Sequence, residues 1–227
     1  MRAGKGRIVE LILEDGQRLA LIACPPTLIP AAGQYLLVGD DDSDSPLPVP
    51  LFYTDSAPDS FLAAPPIPDS WNPGQELALR GPLGRGFDLP SSARKVALVA
   101  FDDSLARLRG LIKPSLRQGA AVVVVSDFES DHLPDEVEAQ PLSALEEIMA
   151  WADYAAFDAA RVNLIKLRER LGMLKQAGVT REAEILVRTP VPCGGVAECG
   201  VCAVNVKSGW KMGCKDGPVF NWNELGL

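Results

Sequence analysis

The chain has 227 residues, of which 47% are hydrophobic and 23% charged, enough apolar material for one or two cored domains or a row of small ones. Its 22 basic residues against 30 acidic ones leave a net charge of −8, which excludes the clustered cationic footprint of nucleic-acid binding and disfavours adhesion to an anionic membrane. No apolar run is long enough to cross a bilayer, and charges interrupt MRAGKGRIVELILEDG too early for a secretory leader, so the cytoplasm is the expected compartment.

From residue 7 to about 90 the pattern is short strands broken by turns. RIVELILEDGQRLALIAC alternates and breaks at Asp15-Gly16, a hairpin signal. AAGQYLLVG, PLFYT and ELALRG follow as further strands, separated by DDDSDSPLPVP at 40–50 and SAPDSFLAAPPIPDSWNPG at 56–74. This spacing predicts a small antiparallel β-barrel over 1–90. The Asp run at 40–42 and 44 reads as a solvated loop tip, and Cys24 before two prolines as a small buried hydrophobe.

Near Ser91 the character changes. KVALVAF at 95–101 and AAVVVVS at 120–126 are nearly continuous apolar runs, as in strands buried on both faces. DSLARLRGLIKPSLRQG between them has a helical pattern, kinked or divided by Pro114 and stopped by Gly119. LSALEEIMAW and AFDAARVNLIKLRERLGMLKQAG then read as helices. Strand, helix, strand, helix predicts a short parallel α/β unit of about four strands over 91–178, and AEILVRT opens a third segment at 179–227.

That last segment holds four of the five cysteines, Cys193, Cys199, Cys202 and Cys214, spaced C-x5-C-x2-C-x11-C. In the reducing cytoplasm grouped cysteines point to metal rather than to disulfides. Plant-type [2Fe–2S] sites use C-x4-C-x2-C and a distant fourth cysteine, one residue different from this run. Three close ligands and one remote one also differ from the paired CxxC knuckles of most structural zinc sites, with zinc and disulfides as the alternatives. Gly194, Gly195 and Gly200 let backbone N–H groups approach the sulfurs. Trp210, in KSGWKMGC, either shields the loop or, as the plainer reading has it, packs in a small core.

Two further stretches are candidate ligand contacts. GPLGRGF, with Gly81, Gly84 and Gly86, makes a tight turn at the junction of the barrel and the α/β unit. Phe52, Tyr53 and Thr54, at the end of a strand, could stack on a planar ring and hydrogen-bond its edge, or simply be buried. After KVALVAF, where a dinucleotide-binding chain carries its glycine loop, this one has Asp102-Asp103-Ser104, whose carboxylates repel pyrophosphate. Asp127 reads as a strand-end residue, and the single histidine, His132, as an exposed side chain in an acidic loop.

The order of barrel, α/β unit and cysteine segment resembles the iron–sulfur electron-transfer subunits of class 1B dihydroorotate dehydrogenase, within the ferredoxin–NADP reductase superfamily. GPLGRGF and CGGVAECGVCAVNVKSGWKMGCKDGPVF carry the resemblance most specifically. It implies a [2Fe–2S] cluster on Cys193, Cys199, Cys202 and Cys214, an FAD-binding barrel, and hetero-oligomeric assembly with a catalytic flavoprotein in pyrimidine biosynthesis. It also implies that Phe52, Tyr53 and Thr54 lie at the isoalloxazine, with Gly81, Gly84 and Gly86 forming the turn beneath it. The superfamily's flavin motif is Arg-x-Tyr-Ser, and Leu51 stands where its phosphate-binding Arg belongs, so the ring contacts are retained while a charge-assisted phosphate contact is lost. The missing glycine loop argues against direct NAD(P)H use, and makes the middle unit a degenerate nucleotide-binding fold. The competing class is a non-enzymatic, metal-stabilised assembly subunit with decayed flavin and nucleotide sites.

Overall fold

In the computed structural model, residues 2–14, 16–39, 47–128, 133–176 and 182–225 are described, with backbone only for 172–176. The Asp run at 40–42 and 44, Asp15 and His132 lie outside them.

The first strand, β1 (Arg2–Glu14), is long enough to serve two neighbours. Its second half pairs with β2 (Gln17–Ala23) through a tight connection in which Gly16 has φ +72°, and Arg2–Arg7 pairs with β6 (Glu76–Leu83). With β3 (Tyr35–Gly39), β4 (Val49–Ala57) and β5 (Ser60–Ala63), the order β1-β2-β5-β4-β3-β6 closes the expected barrel. Closure leaves no free sheet edge. The strand β5 lies inside the Pro- and Asp-rich stretch read as a connection, because SFLA is too short to show an alternating pattern. Leu51, Cys24, Ile8, Ile22, Phe61 and Trp71 fill the interior.

The second unit is a six-stranded sheet, β14-β11-β10-β7-β8-β9, larger than the four strands expected. Its strands are β7 (Lys95–Ala100), β8 (Ala121–Val125), β9 (Val137–Gln140), β10 (Tyr154–Ala160), β11 (Glu182–Arg188) and β14 (Val219–Asn221). All run parallel except β14, which is antiparallel to β11. Alternate residues of one strand feed different cores, which explains the continuous apolar runs. Ala97, Val99, Val123 and Val125 face one core, and Val96, Leu98, Val122 and Val124 the other.

Three expectations are corrected here. The stretch read as a helix from Ala156 onward begins as strand β10, whose Ala155, Phe157 and Ala159 enter one core and Tyr154 and Ala156 the other. Alanine favours helices locally, but burial between β7 and β11 decides the matter. The helix read between β7 and β8 shrinks to α1 (Ile112–Arg117), with Pro114 in its first turn, where its missing N–H costs nothing. The expected boundary at 178/179 precedes β11, which belongs to the α/β sheet, as does β14.

Helices α2 (Leu145–Trp151) and α3 (Leu164–Gln176) follow β9 and β10. The cysteine segment adds a hairpin of β12 (Ala203–Val206) and β13 (Gly209–Met212). No helix among the described residues is long and apolar enough to cross a membrane.

Candidate metal centre and flavin edge

The four cysteines come together as two pairs. Cys202 and Cys214 are buried, with their Sγ atoms 3.3 Å apart. Cys193 is half-buried beside exposed Cys199, and a side-chain hydrogen bond joins them. Positive φ at Gly194, Ala197 and Gly200 turns the chain back over Cys193. Burial opposes ionisation of Cys193, but the Cys199 side chain and the backbone N–H groups of Cys199, Val196 and Glu198 outweigh it and pull the thiol from 9 down to about 6. Cys214 is pushed up to about 12, first by burial and then by Cys202, while the Ala197 N–H acts in the opposite sense.

Among the described residues no three His, Cys, Asp or Glu side chains close around a point in the way a single ion requires. A two-iron cluster takes two protein ligands on each iron, so two cysteine pairs under a loop of inward N–H groups fit that donor set. The described cysteines are free thiols rather than disulfides.

The barrel reaches this centre, which the sequence did not reveal. Tyr35 of β3 is 1% exposed, and its Oη donates to the Cys214 carbonyl at 3.4 Å. Its ring lies 5.4 Å from that of Phe52. Burial pushes the Tyr35 phenol up, Cys214, Cys202 and Cys193 add to the rise, and Arg80 opposes it. Arg80 of β6 donates through Nη2 to the Gly194 carbonyl, and its guanidinium lies where a Cβ on Gly194 would sit. One continuous apolar cluster holds Tyr35, Phe52, Cys202, Cys214, Val191 and Val219.

Phe52, Tyr53 and Thr54 fall together near the end of the barrel that faces the α/β unit. Phe52 and Thr54 are buried, and Thr54 Oγ1 has no hydrogen-bond partner, as a hydroxyl reserved for a ligand would be. Tyr53 is half-buried, bonds Ser56 Oγ at 3.0 Å, and packs its ring on Gly110. This edge fits the ring portion of a flavin. Leu51 is fully buried in the barrel core, so it offers nothing to a phosphate.

The glycines of GPLGRGF meet protein rather than open space. A Cβ on Gly84 would strike the Pro218 ring and lie 2.8 Å from the Gly217 carbonyl. Gly81 abuts Leu36, and Gly86 the Ala32 carbonyl. Between them Arg85 donates its backbone N–H to Gly217 O at 2.6 Å and pairs with Glu184 of β11 at 2.6 Å. The turn expected beneath a ring is thus the joint between barrel, sheet and cysteine segment.

At the carboxyl ends of β7, β10 and β11, where open α/β sheets bind dinucleotides, the chain places its own charges. Arg107, 1% exposed, donates to Asp158 at 2.6 Å, to the Pro65 carbonyl of the barrel at 2.5 Å, and to Asp103. Arg188 bonds Asp158 at 2.9 Å, Asp102 at 2.6 Å and Asp103 at 3.0 Å. Asn163 and the Ala160 N–H also donate to Asp102. The acidic pair is therefore neutralised internally, by arginines that carry no local sequence signal. Asp127 accepts the Leu142 N–H at 2.8 Å, a structural bond. Trp210 is 69% exposed, so it neither shields the loop nor fills a core.

Residues 193–226 match the family model for the iron–sulfur cluster binding domain of dihydroorotate dehydrogenase B. The chain is 29% identical over 170 residues to the electron transfer subunit of dihydroorotate dehydrogenase B (NAD(+)) from Clostridium perfringens, covering 67% of each. The corresponding subunit from Clostridium acetobutylicum is 25% identical over 214 residues, covering 85% of each. Among solved structures, an NADH-dependent reduced ferredoxin–NADP oxidoreductase superposes with a TM-score of 0.75 at 16% identity, covering 96% of this chain and 88% of that one. The ferredoxin reductase of carbazole 1,9a-dioxygenase gives 0.60 at 15%, covering 79% and 67%. The cysteine segment thus matches the iron–sulfur cluster binding domain of dihydroorotate dehydrogenase B, and the chain as a whole is similar to the electron transfer subunits of that enzyme and has a ferredoxin reductase-like fold.

Proposed function

We propose that the chain is a cytoplasmic electron-transfer subunit that relays electrons to or from a catalytic flavoprotein of the dihydroorotate dehydrogenase type, in pyrimidine biosynthesis. The observation that carries this is the pairing of Cys193 with Cys199 and of Cys202 with Cys214 under inward-facing backbone amides. These four thiolates would hold a [2Fe–2S] cluster, which when bound exchanges single electrons. Its N–H donors stabilise added negative charge without a proton transfer. Phe52, Tyr53 and the orphan hydroxyl of Thr54 would meet the ring of FAD, with Gly81, Gly84 and Gly86 holding the barrel against the cluster segment. Tyr35 and Phe52, whose rings lie 5.4 Å apart in one apolar cluster with Cys202 and Cys214, would stand between the two sites.

The test is anaerobic purification with iron, sulfide and flavin quantification, followed by dithionite titration. Two irons and two sulfides per chain are expected, in a reddish-brown protein that bleaches on reduction. Single Cys→Ser changes at 193, 199 and 202 should each lower iron content, because the loop's folding energy is largely metal binding. A colourless zinc protein, or full iron retention in all three variants, would overturn the reading.

A further inference from the structure

The cysteine segment supplies the thiols, yet two of the side chains that close over it come from the barrel, far away in sequence. Arg80 is separated from Gly194 by 114 residues and Tyr35 from Cys214 by 179. Each meets a backbone carbonyl at or next to a cysteine: Arg80 at Gly194, adjacent to Cys193, and Tyr35 at Cys214 itself. Neither bond is needed to close the barrel, whose strand pairing runs through main-chain groups.

Arg80 is a costly choice for this position. Its Nε is buried without a hydrogen-bond partner, and its guanidinium stands hard against the loop. A buried unpaired donor on a cation costs free energy unless a nearby negative charge offsets it. Four thiolates around two irons supply such a charge, and one that grows when an electron is added. A cavity of about 540 Å³ lined by Leu37, Pro48, Arg80, Cys193 and Gly194 lies on the same side. Arg80 is thus a charged group lining that opening beside Cys193. Tyr35, 1% exposed, packs in one apolar cluster with Phe52, Cys202 and Cys214.

We propose that Arg80 and Tyr35 of the barrel are positioning residues that set the reduction potential of the cluster, Arg80 by placing a fixed positive charge at the Cys193 loop and Tyr35 by directing its hydroxyl dipole at Cys214. This rests on the cluster reading above. The physical reason is that net charge, hydrogen bonding and solvent exposure around the sulfurs decide how readily an iron–sulfur centre accepts an electron. A cation stabilises the reduced form more than the oxidised form, because the reduced form carries one more negative charge. The barrel then does more than hold a second cofactor, since it sets how readily the cluster accepts an electron.

The experiment is a dithionite-mediated redox titration of the full-length, cluster-loaded chain, with iron content and the electron paramagnetic resonance spectrum of the reduced state measured alongside. Arg80→Gln removes the charge and keeps two polar atoms, Arg80→Lys restores the charge, and Tyr35→Phe removes only the hydroxyl. The expected result is full iron content with a lower midpoint potential in Arg80→Gln, recovery towards wild type in Arg80→Lys, and a smaller decrease with altered g-values in Tyr35→Phe. Loss of iron in Arg80→Gln that Arg80→Lys prevents also supports the proposal, since charge alone distinguishes the two. Wild-type potentials and spectra in Arg80→Gln and Tyr35→Phe at full iron content would overturn it while leaving the cluster assignment intact. Equal iron loss in both Arg80 variants, with Tyr35→Phe unchanged, would reduce Arg80 to a fold contact and overturn it as well. An iron-free wild-type chain would remove the cluster reading itself.

Discussion

Replacing Asp158 with Ala would deprive two guanidinium groups of the buried acceptor they share. Asp158 is 1% exposed and receives Arg107 at 2.6 Å and Arg188 at 2.9 Å. Removing one partner of a buried pair costs roughly 3–5 kcal/mol, because the remaining charge stays out of water. Four contacts moderate this: Arg188 keeps Asp102 and Asp103, and Arg107 keeps the Pro65 carbonyl and Asp103, the last being 47% exposed and so a screened partner. The low end, about 3 kcal/mol, is therefore expected. At about 2–4 °C per kcal/mol for a chain of this size, the melting temperature should fall by about 6–12 °C. Thermal denaturation followed by circular dichroism measures it. Lys5→Gln, which removes an ion pair 77% and 71% exposed, serves as the control and should leave the melting temperature nearly unchanged. The double variant Arg107→Met/Asp158→Leu should melt above Asp158→Ala, because it leaves one fewer guanidinium without its acceptor. An Asp158→Ala protein melting within about 2 °C of wild type, less than about 1 kcal/mol on the same scale, would refute the argument that this buried network stabilises the fold.

Three further outcomes follow from the same geometry. The isolated chain should show negligible NAD(P)H:acceptor activity: Leu51 supplies no phosphate contact, and Asp102 and Asp103 already occupy the donors at the sheet crest. Two or three lost charge-assisted contacts at about 1.5–3 kcal/mol each amount to several decades of affinity; rapid reduction by NADH of the partner-free, cluster-loaded protein would contradict this. In the iron-free protein, the folded-state thiol of Cys193 lies at about 6, below its ordinary 9, so the thiolate and the stability it contributes are present above that range and lost as pH falls through about 6. Iodoacetamide at neutral pH should therefore label Cys193 while sparing Cys24, pushed up to about 11 by burial and then by Asp59, and Cys214 at about 12; peptide mapping that gave Cys193 a midpoint near 9 would sink the assignment. Gly84→Ala, at φ +76° and against Pro218, should cost on the order of 2–3 kcal/mol and loosen the joint, read as faster proteolysis ahead of the cysteine segment; a wild-type digestion pattern would count against it.

Some of this protein is determined by its sequence alone, where the physics is local. The C-x5-C-x2-C-x11-C run with its glycines specifies a ligand loop, because those residues are close along the chain and need only turn back on themselves. The hairpin at Gly16 and the buried runs that became β7 and β8 are likewise written in turn chemistry and apolar continuity. What tertiary structure alone decided involves partners far apart. The stretch from Ala156 to Ala160 reads as helical by composition and becomes part of a strand because two strands cover its flanks and two cores its faces. Arg107, Asp158, Arg188 and Asp102 carry no shared periodicity, and only the convergence of three strand ends on one crest makes them a network. In the same way Tyr35 and Arg80 read as ordinary strand residues until barrel closure brings them against Cys214 and Gly194. Spacing along the chain can name the sulfurs, but the dielectric and charge around them come from whatever the fold packs on top.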